Sequence, residues 1–216
     1  MKRSYVVIGM GRFGTAVAEK LYALGNEVMI LDHDAAQISH LADSVTHAVV
    51  GDARDESVLR GLGVQQYDCV IVSVGTDLAA SVLITLNLKE LGVKQIICKA
   101  MDESHRKVLS RIGADNIVIP EQQMAEQLAK GLSCANVLEY IDLSDDYGIA
   151  EIPVPKKWIG HSVVDLLIRS TYGVDVLGIK QDDKIRISPG PHYVFQERDV
   201  VMVLGDNNHL EKLETI

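Results

Sequence analysis

The chain has 216 residues, 47% of them apolar, and 21 Lys+Arg against 30 Asp+Glu give a formal charge of −9. That apolar content supports a full core and excludes disorder, and the length suits one large domain or a medium one with a small companion. An acidic balance with no block of basic residues excludes nucleic acid and an anionic membrane surface as main partners.

The uncharged apolar runs, such as CVIVSVG, are far too short to span a bilayer, so no direct membrane insertion is expected. MKRSYVVIGMG starts basic but meets glycines within a few residues, unlike a secretory signal. Cys69, Cys98 and Cys134 show no CxxC spacing and are expected to be buried small hydrophobes in a reducing cytosol. These features predict a soluble, cytoplasmic protein.

Residues 1–133 repeat one rhythm of short β-branched run, turn and helical stretch. The predicted strands are YVVIG, EVMILD, HAVVGD, CVIVSVG, QIICKA and NIVIP. Between them lie FGTAVAEKLYALG, AAQISHLADS, DESVLRGLG, LAASVLITLNLKELG and ESHRKVLSRIG, four of which end at a glycine, the usual helix stop. Strands without polar alternation are buried on both faces, so the expectation is α/β: a Rossmann-like, doubly wound parallel sheet. A connector helix, 121–132, follows Pro120 and carries Met124, Leu128 and Leu132 at helical spacing.

From residue 134 to 216 a small α+β module is expected. EYIDLSDDYGIAEIPVP reads as a strand pair or one long strand broken at Gly148, and SVVDLLIRSTY as a helix opening at Ser162. That helix would carry Val163, Val164, Leu167 and Ile168, with Arg169 at its end. Strands VDVLGIK, KIRISP and VVMVLG follow, then a terminal helix, NNHLEKLETI.

The chemistry is concentrated in GMGRFG. Gly9, Gly11 and Gly14 follow a strand and open a helix, with Met10, Arg12 and Phe13 between them. Bare backbone there aims N–H groups and the positive helix end at an anion. EVMILD ends in Asp32, 18 residues after Gly14 and just before His33, where a ribose-binding carboxylate belongs. A carboxylate there repels a 2′-phosphate, so adenosine with a diphosphate is expected and NADP is disfavoured. Arg12, a cation in the first helical turn, is poorly placed for the dipole and suits a charged terminal phosphate, hence ATP or ADP over NAD(H). Asp52 and Ala53 after the third strand, and Gly75 after the fourth, lie on the same sheet edge, near base or ribose. Lys99 and Glu121 also fall at that edge, as a surface ion pair or as part of the site.

Catalytic patterns are missing. The sequence has no Tyr-x-x-x-Lys, no GKS or GKT and no HxxxH or HxH pair, and His105 and His161 read as surface residues. A nucleotide that is bound but not used for chemistry is expected. The alternatives are a small NAD(H)-dependent oxidoreductase, which the small second module disfavours, and an NAD(H) redox sensor, for which no DNA-reading basic face is evident.

With GMGRFG, THAVVGDA (46–53), LKELGV (88–93), KVLSRIGAD (107–115), IPEQQMA (119–125) and NVLEYIDLSD (136–145), the chain resembles the cytosolic regulatory subunits of Ktr/Trk potassium transporters over its whole length. That resemblance implies an N-terminal nucleotide-binding RCK domain and a C-terminal one. It implies homodimers assembled into an octameric ring, peripheral to the inner face of the membrane, which gates a separate membrane-embedded potassium pore subunit. ATP and ADP would compete, with Arg12 on the terminal phosphates, Asp32 on the ribose and Asp52 near the adenosine. Lys99 and Glu121 would lie at the phosphate end of a dimer-shared site, where Glu121 helps hold a divalent cation, Mg or Ca. It also implies a cyclic di-AMP pocket across the two-fold axis of paired C-terminal modules, lined by Val163, Ile168, Arg169, Val174, Asp175 and Pro191. Asp175 departs from the family pattern, which favours asparagine.

Overall fold

The computed structural model describes residues 2–75, 77–133, 139–144, 146–182 and 184–213. Two compact units emerge, Met1–Gln122 and Gln123–Ile216.

The first unit holds six parallel strands, β1 (Ser4–Ile8), β2 (Glu27–Asp32), β3 (His47–Val50), β4 (Cys69–Val72), β5 (Ile96–Lys99) and β6 (Asn116–Val118). Their order is β3-β2-β1-β4-β5-β6. The helices α1 (Arg12–Ala23), α2 (Ala35–Leu41), α3 (Glu56–Gly61), α4 (Leu78–Glu90) and α5 (Glu103–Ile112) make the crossovers, and α6 (Pro120–Ser133) follows β6. Val6, Ile8, Leu31, Val70 and Val72 pack on one face of the sheet, Val7, Val28, Ile30 and Ile71 on the other. Burial on both faces explains why these strands lack polar alternation. The order reverses between β1 and β4, which opens a crevice at their carboxyl ends.

The starts of the crossover helices α1 to α5 follow one rule with one exception. Asp34, Asp55, Asp77 and Asp102 cap α2, α3, α4 and α5, each accepting a backbone N–H at 2.8–2.9 Å. Helix α1 has Gly11 as its N-cap residue, with no side-chain cap and no acid in its first turn.

The second unit is an antiparallel sheet of β7 (Glu139–Asp142), β8 (Tyr147–Pro153), β9 (Val174–Gln181), β10 (Lys184–Ile187) and β11 (Val200–Asp206), ordered β10-β9-β11-β8-β7. Helix α8 (Asn207–Leu213) follows β11. Trp158 and Phe195, with ring centroids 5.2 Å apart, centre a core that includes Ile152, Val201 and Val203.

Two expectations for this unit are corrected. Gly148 is not the break between strands: it sits inside β8, where an added Cβ would come within 2.2 Å of the Tyr140 hydroxyl. Nor does a helix open at Ser162. Residues 163–167 form turns, Leu167 adopts φ 46°, and α7 is only Ile168–Tyr172. The backbone donors are already committed: Val163 N–H donates to the Tyr193 carbonyl (3.0 Å) and Val164 N–H to that of Pro191 (2.9 Å). The Asp165 N–H donates to Ser162 Oγ at 3.2 Å and closes the local turn. Tertiary pairing with a loop some thirty residues on has overridden local helical spacing.

Candidate functional site

The turn after β1 explains each glycine differently. Gly9 has φ +92°, and a Cβ on it would lie 3.0 Å from Val74 Cγ2. A Cβ on Gly14 would lie 2.0 Å from the Gly9 carbonyl oxygen, so only glycine lets α1 pack against the turn. At Gly11 a Cβ would meet nothing within 4 Å, so the open side of the turn is free for a ligand. Met10 is buried and engages the site through its backbone, while Arg12 is exposed and Phe13 half-buried.

Asp32, at the end of β2, reaches across to this turn. One carboxylate oxygen accepts the Met10 N–H at 2.6 Å; the other accepts the Asp34 N–H at 2.9 Å and lies 3.1 Å from the exposed His33 ring. The carboxylate thus fixes the glycine turn and retains lone pairs for hydroxyl donors. Asp52 is more fully engaged. Arg54 grips it with Nε at 2.9 Å and Nη2 at 2.7 Å, and its own N–H adds a third bond at 2.9 Å. These hydrogen bonds hold the Asp52 carboxyl down to about 2. Ala53 lies in the core beside them. Arg54 escaped the sequence reading; the Asp-x-Arg spacing of GDARD was the available signal.

The remaining predicted residues of this unit converge. Lys99 Nζ lies 2.6 Å from Glu121 Oε1 and 5.8 Å from the centroid of the Phe13 ring. The side chain of Lys99 would pass 3.5 Å from a Cβ on Gly75. The bond from Lys99 lowers the Glu121 carboxyl, and the nearby Arg12 charge adds to that. Arg12, Phe13, Gly75, Lys99 and Glu121 therefore share one cluster beside the uncapped start of α1.

His105 corrects a third expectation. It is buried, with Nδ1 accepting the Met101 N–H (3.3 Å) and Nε2 3.2 Å from Ser81 Oγ. Burial lowers its pKa. Cys69 and Cys98 are buried, their thiols pushed up to about 11 by desolvation, while Cys134 and the side chain of Leu132 lie outside the described residues.

In the second unit the predicted residues divide. Ile168 and Val174 belong to the core, Val163 packs against it, and Pro191 is exposed. Arg169 is exposed, with Nε 3.6 Å from Asp175 Oδ1. The apolar side chains that reach solvent there are Val164 and Leu167.

The anion-directed N–H groups of α1, the open space at Gly11, the exposed Arg12 and the Asp32 carboxylate fit an adenosine ligand with a diphosphate. Among the described residues no group of three or more His, Cys, Asp or Glu could hold a metal ion. No described helix is long and apolar enough to cross a membrane.

Family models for the TrkA-N domain and the TrkA-C domain match residues 5–120 and 149–216. The Ktr system potassium uptake protein C of Bacillus subtilis is 41% identical over 99% of this chain and 97% of its own length. The chain belongs to this family of potassium uptake proteins. Protein A of the Ktr system of Vibrio alginolyticus is 33% identical, over 99% of this chain and 98% of its own. A solved GsuK channel bound to NAD superposes with a TM-score of 0.68 at 20% identity, covering 99% of this chain and 39% of that one, and shows the shared fold.

Proposed function

We propose that this chain is the regulatory subunit of a Ktr-type potassium uptake system, binding ATP or ADP and gating a separate membrane pore subunit from its cytoplasmic side. One observation carries the nucleotide half of this reading. Helix α1 is the single Rossmann crossover helix without a carboxylate cap, and the space before it is open and flanked by Arg12, Lys99 and Asp32. Full-length similarity to potassium uptake proteins supports the transport half. The ligand's role is regulatory, because its differential affinity for two arrangements of the assembly is what moves the pore. Glu121 offers one carboxylate to a divalent cation such as Mg or Ca, so the phosphates must supply further ligands. The deciding experiment is to denature purified protein, identify the released nucleotide, and titrate ATP, ADP, NAD(H) and NADP by calorimetry. NADP as the tightest ligand, or no nucleotide at all, overturns the reading. NAD(H) is the second reading, since Asp32 serves its ribose equally well.

A second site for cyclic di-AMP is part of the proposal. Its support is the exposed Arg169, available to a phosphate on the surface of the second unit, together with exposed Val164 and Leu167 nearby in the chain. Asp175 competes for that guanidinium and opposes an anionic ligand. Asp175→Asn should strengthen cyclic di-AMP binding and Arg169→Ala should abolish it. If neither wild type nor Asp175→Asn binds, this site does not exist.

A further inference from the structure

Ser73 is the first residue beyond β4, at the point where the strand order reverses. Its N–H donates to the Ile8 carbonyl at 2.8 Å, which extends the β1–β4 ladder and fixes where the side chain emerges. The residue is 8% exposed, its Oγ is fully buried, and that oxygen has no hydrogen-bond partner among the described residues. A Cβ built on Gly14 would lie 3.0 Å from this Oγ, so the hydroxyl stands against the first turn of α1. Val70, Ile71 and Val72 before it are apolar, and for packing alone alanine would serve better than a buried hydroxyl that lacks an acceptor. The same turn lacks the carboxylate cap that α2 to α5 all have.

Resting on the nucleotide reading above, we propose that Ser73 is a phosphate-positioning residue. With a nucleotide seated on the α1 N-terminus, the Ser73 O–H donates to the phosphate, directly or through one water. Because Ser73 Oγ is buried against Gly14, the bond requires the turn between Gly9 and Gly14 to shift as the phosphate binds. A side chain at Gly14 would collide with the Gly9 carbonyl and crowd the Ser73 hydroxyl.

The test compares wild type with Ser73→Ala in calorimetric titrations of ADP and adenosine, and in thermal melts without nucleotide. Removing a buried donor that lacks an acceptor should leave the melting temperature unchanged or raise it. Loss of a hydrogen bond to a charged group should weaken ADP by about tenfold or more, with adenosine changed by less than about twofold. Opposite signs for stability and phosphate affinity are what a merely structural serine would not produce. ADP affinity in Ser73→Ala equal to wild type overturns the assignment of Ser73. So does a parallel loss of melting temperature, ADP and adenosine, which marks a packing role. Wild-type protein that binds neither ADP nor NAD overturns the nucleotide reading itself.

Discussion

Gly11 and Gly14 stand three residues apart, yet substitution should separate folding from binding. A Cβ at Gly14 would lie 2.0 Å from a backbone oxygen, which no rotamer relieves, so Gly14→Ala must push α1 away from the turn. A loss of about 1–3 kcal/mol in stability and at least tenfold in nucleotide affinity is expected, read by denaturant melts and calorimetry. Gly11→Ala adds its methyl on the open side, at an ordinary φ of −74°. It should change stability by no more than about 1 kcal/mol while still weakening nucleotide binding. Loss of stability at Gly11 matching that at Gly14 would mean the open side does not face a ligand. Arg12→Ala should weaken ATP more than ADP, since an exposed guanidinium in the first turn of α1 acts on the outermost charge. Equal losses would remove that role. The glycine turn was legible because each of its glycines answers a local backbone requirement, and Asp32 because it ends the neighbouring strand. Ser73 was not, because one serine at a strand end looks the same whether or not its hydroxyl finds a partner.

Among the elements, β1 to β6 were readable because a strand buried on both faces must be apolar at every position. The region 163–167 was not, because its N–H groups are claimed by Pro191 and Tyr193, residues that local spacing cannot reveal. His105 failed for the same kind of reason. ESHRK reads as a solvated helix start, but His105 is buried, its ring meeting Ser81 on α4 and the Met101 N–H. That burial has a consequence with a definite sign. Nδ1 accepts the Met101 N–H, so the proton of the neutral ring sits on Nε2, toward Ser81, and a second proton would sever the Met101 bond. Desolvation lowers the pKa below 6.5, although Asp102 at the start of α5 pulls it upward; the side chain it meets on α4, Ser81, is uncharged. The folded chain therefore binds fewer protons than the unfolded chain near pH 6. Above the unfolded value His105 makes no pH-dependent contribution. As pH falls through 6.5 stability is lost, until the folded pKa is reached. Melting temperature should fall more between about pH 7.5 and 5.5 for wild type than for His105→Asn, and identical slopes would exonerate this residue.

At the scale of the whole molecule, a regulator whose output is motion needs surfaces that a second copy can cover. Two helices expose apolar side chains that such a copy would cover. Helix α4 has no charged residue from Leu78 to Leu88, and Leu78, Leu83 and Leu86 are exposed on it. On α6, Met124 and Leu128 are 63% and 60% exposed, so these two residues of the stripe read from the sequence reach solvent. Where such side chains form a contiguous apolar patch, that patch marks an association surface. The family resemblance makes the expected assembly a ring built from dimers. Its physical requirement is that burial of these residues at ~25 cal/mol per Å² exceeds the entropy of association, which no single helix face does easily. Both surfaces are therefore expected to contribute, at different contacts. Light scattering at micromolar concentration should give a mass well above 23.6 kDa. Leu83→Asp with Leu86→Asp, and separately Met124→Ser with Leu128→Ser, should each reduce the mass to a smaller assembly, with far-ultraviolet circular dichroism unchanged. If the two pairs act at different contacts, the double variants stop at a common small oligomer and the quadruple variant goes to monomer. A wild-type chain that is monomeric at every concentration would remove the ring, and with it the route by which a nucleotide on α1 reaches a pore.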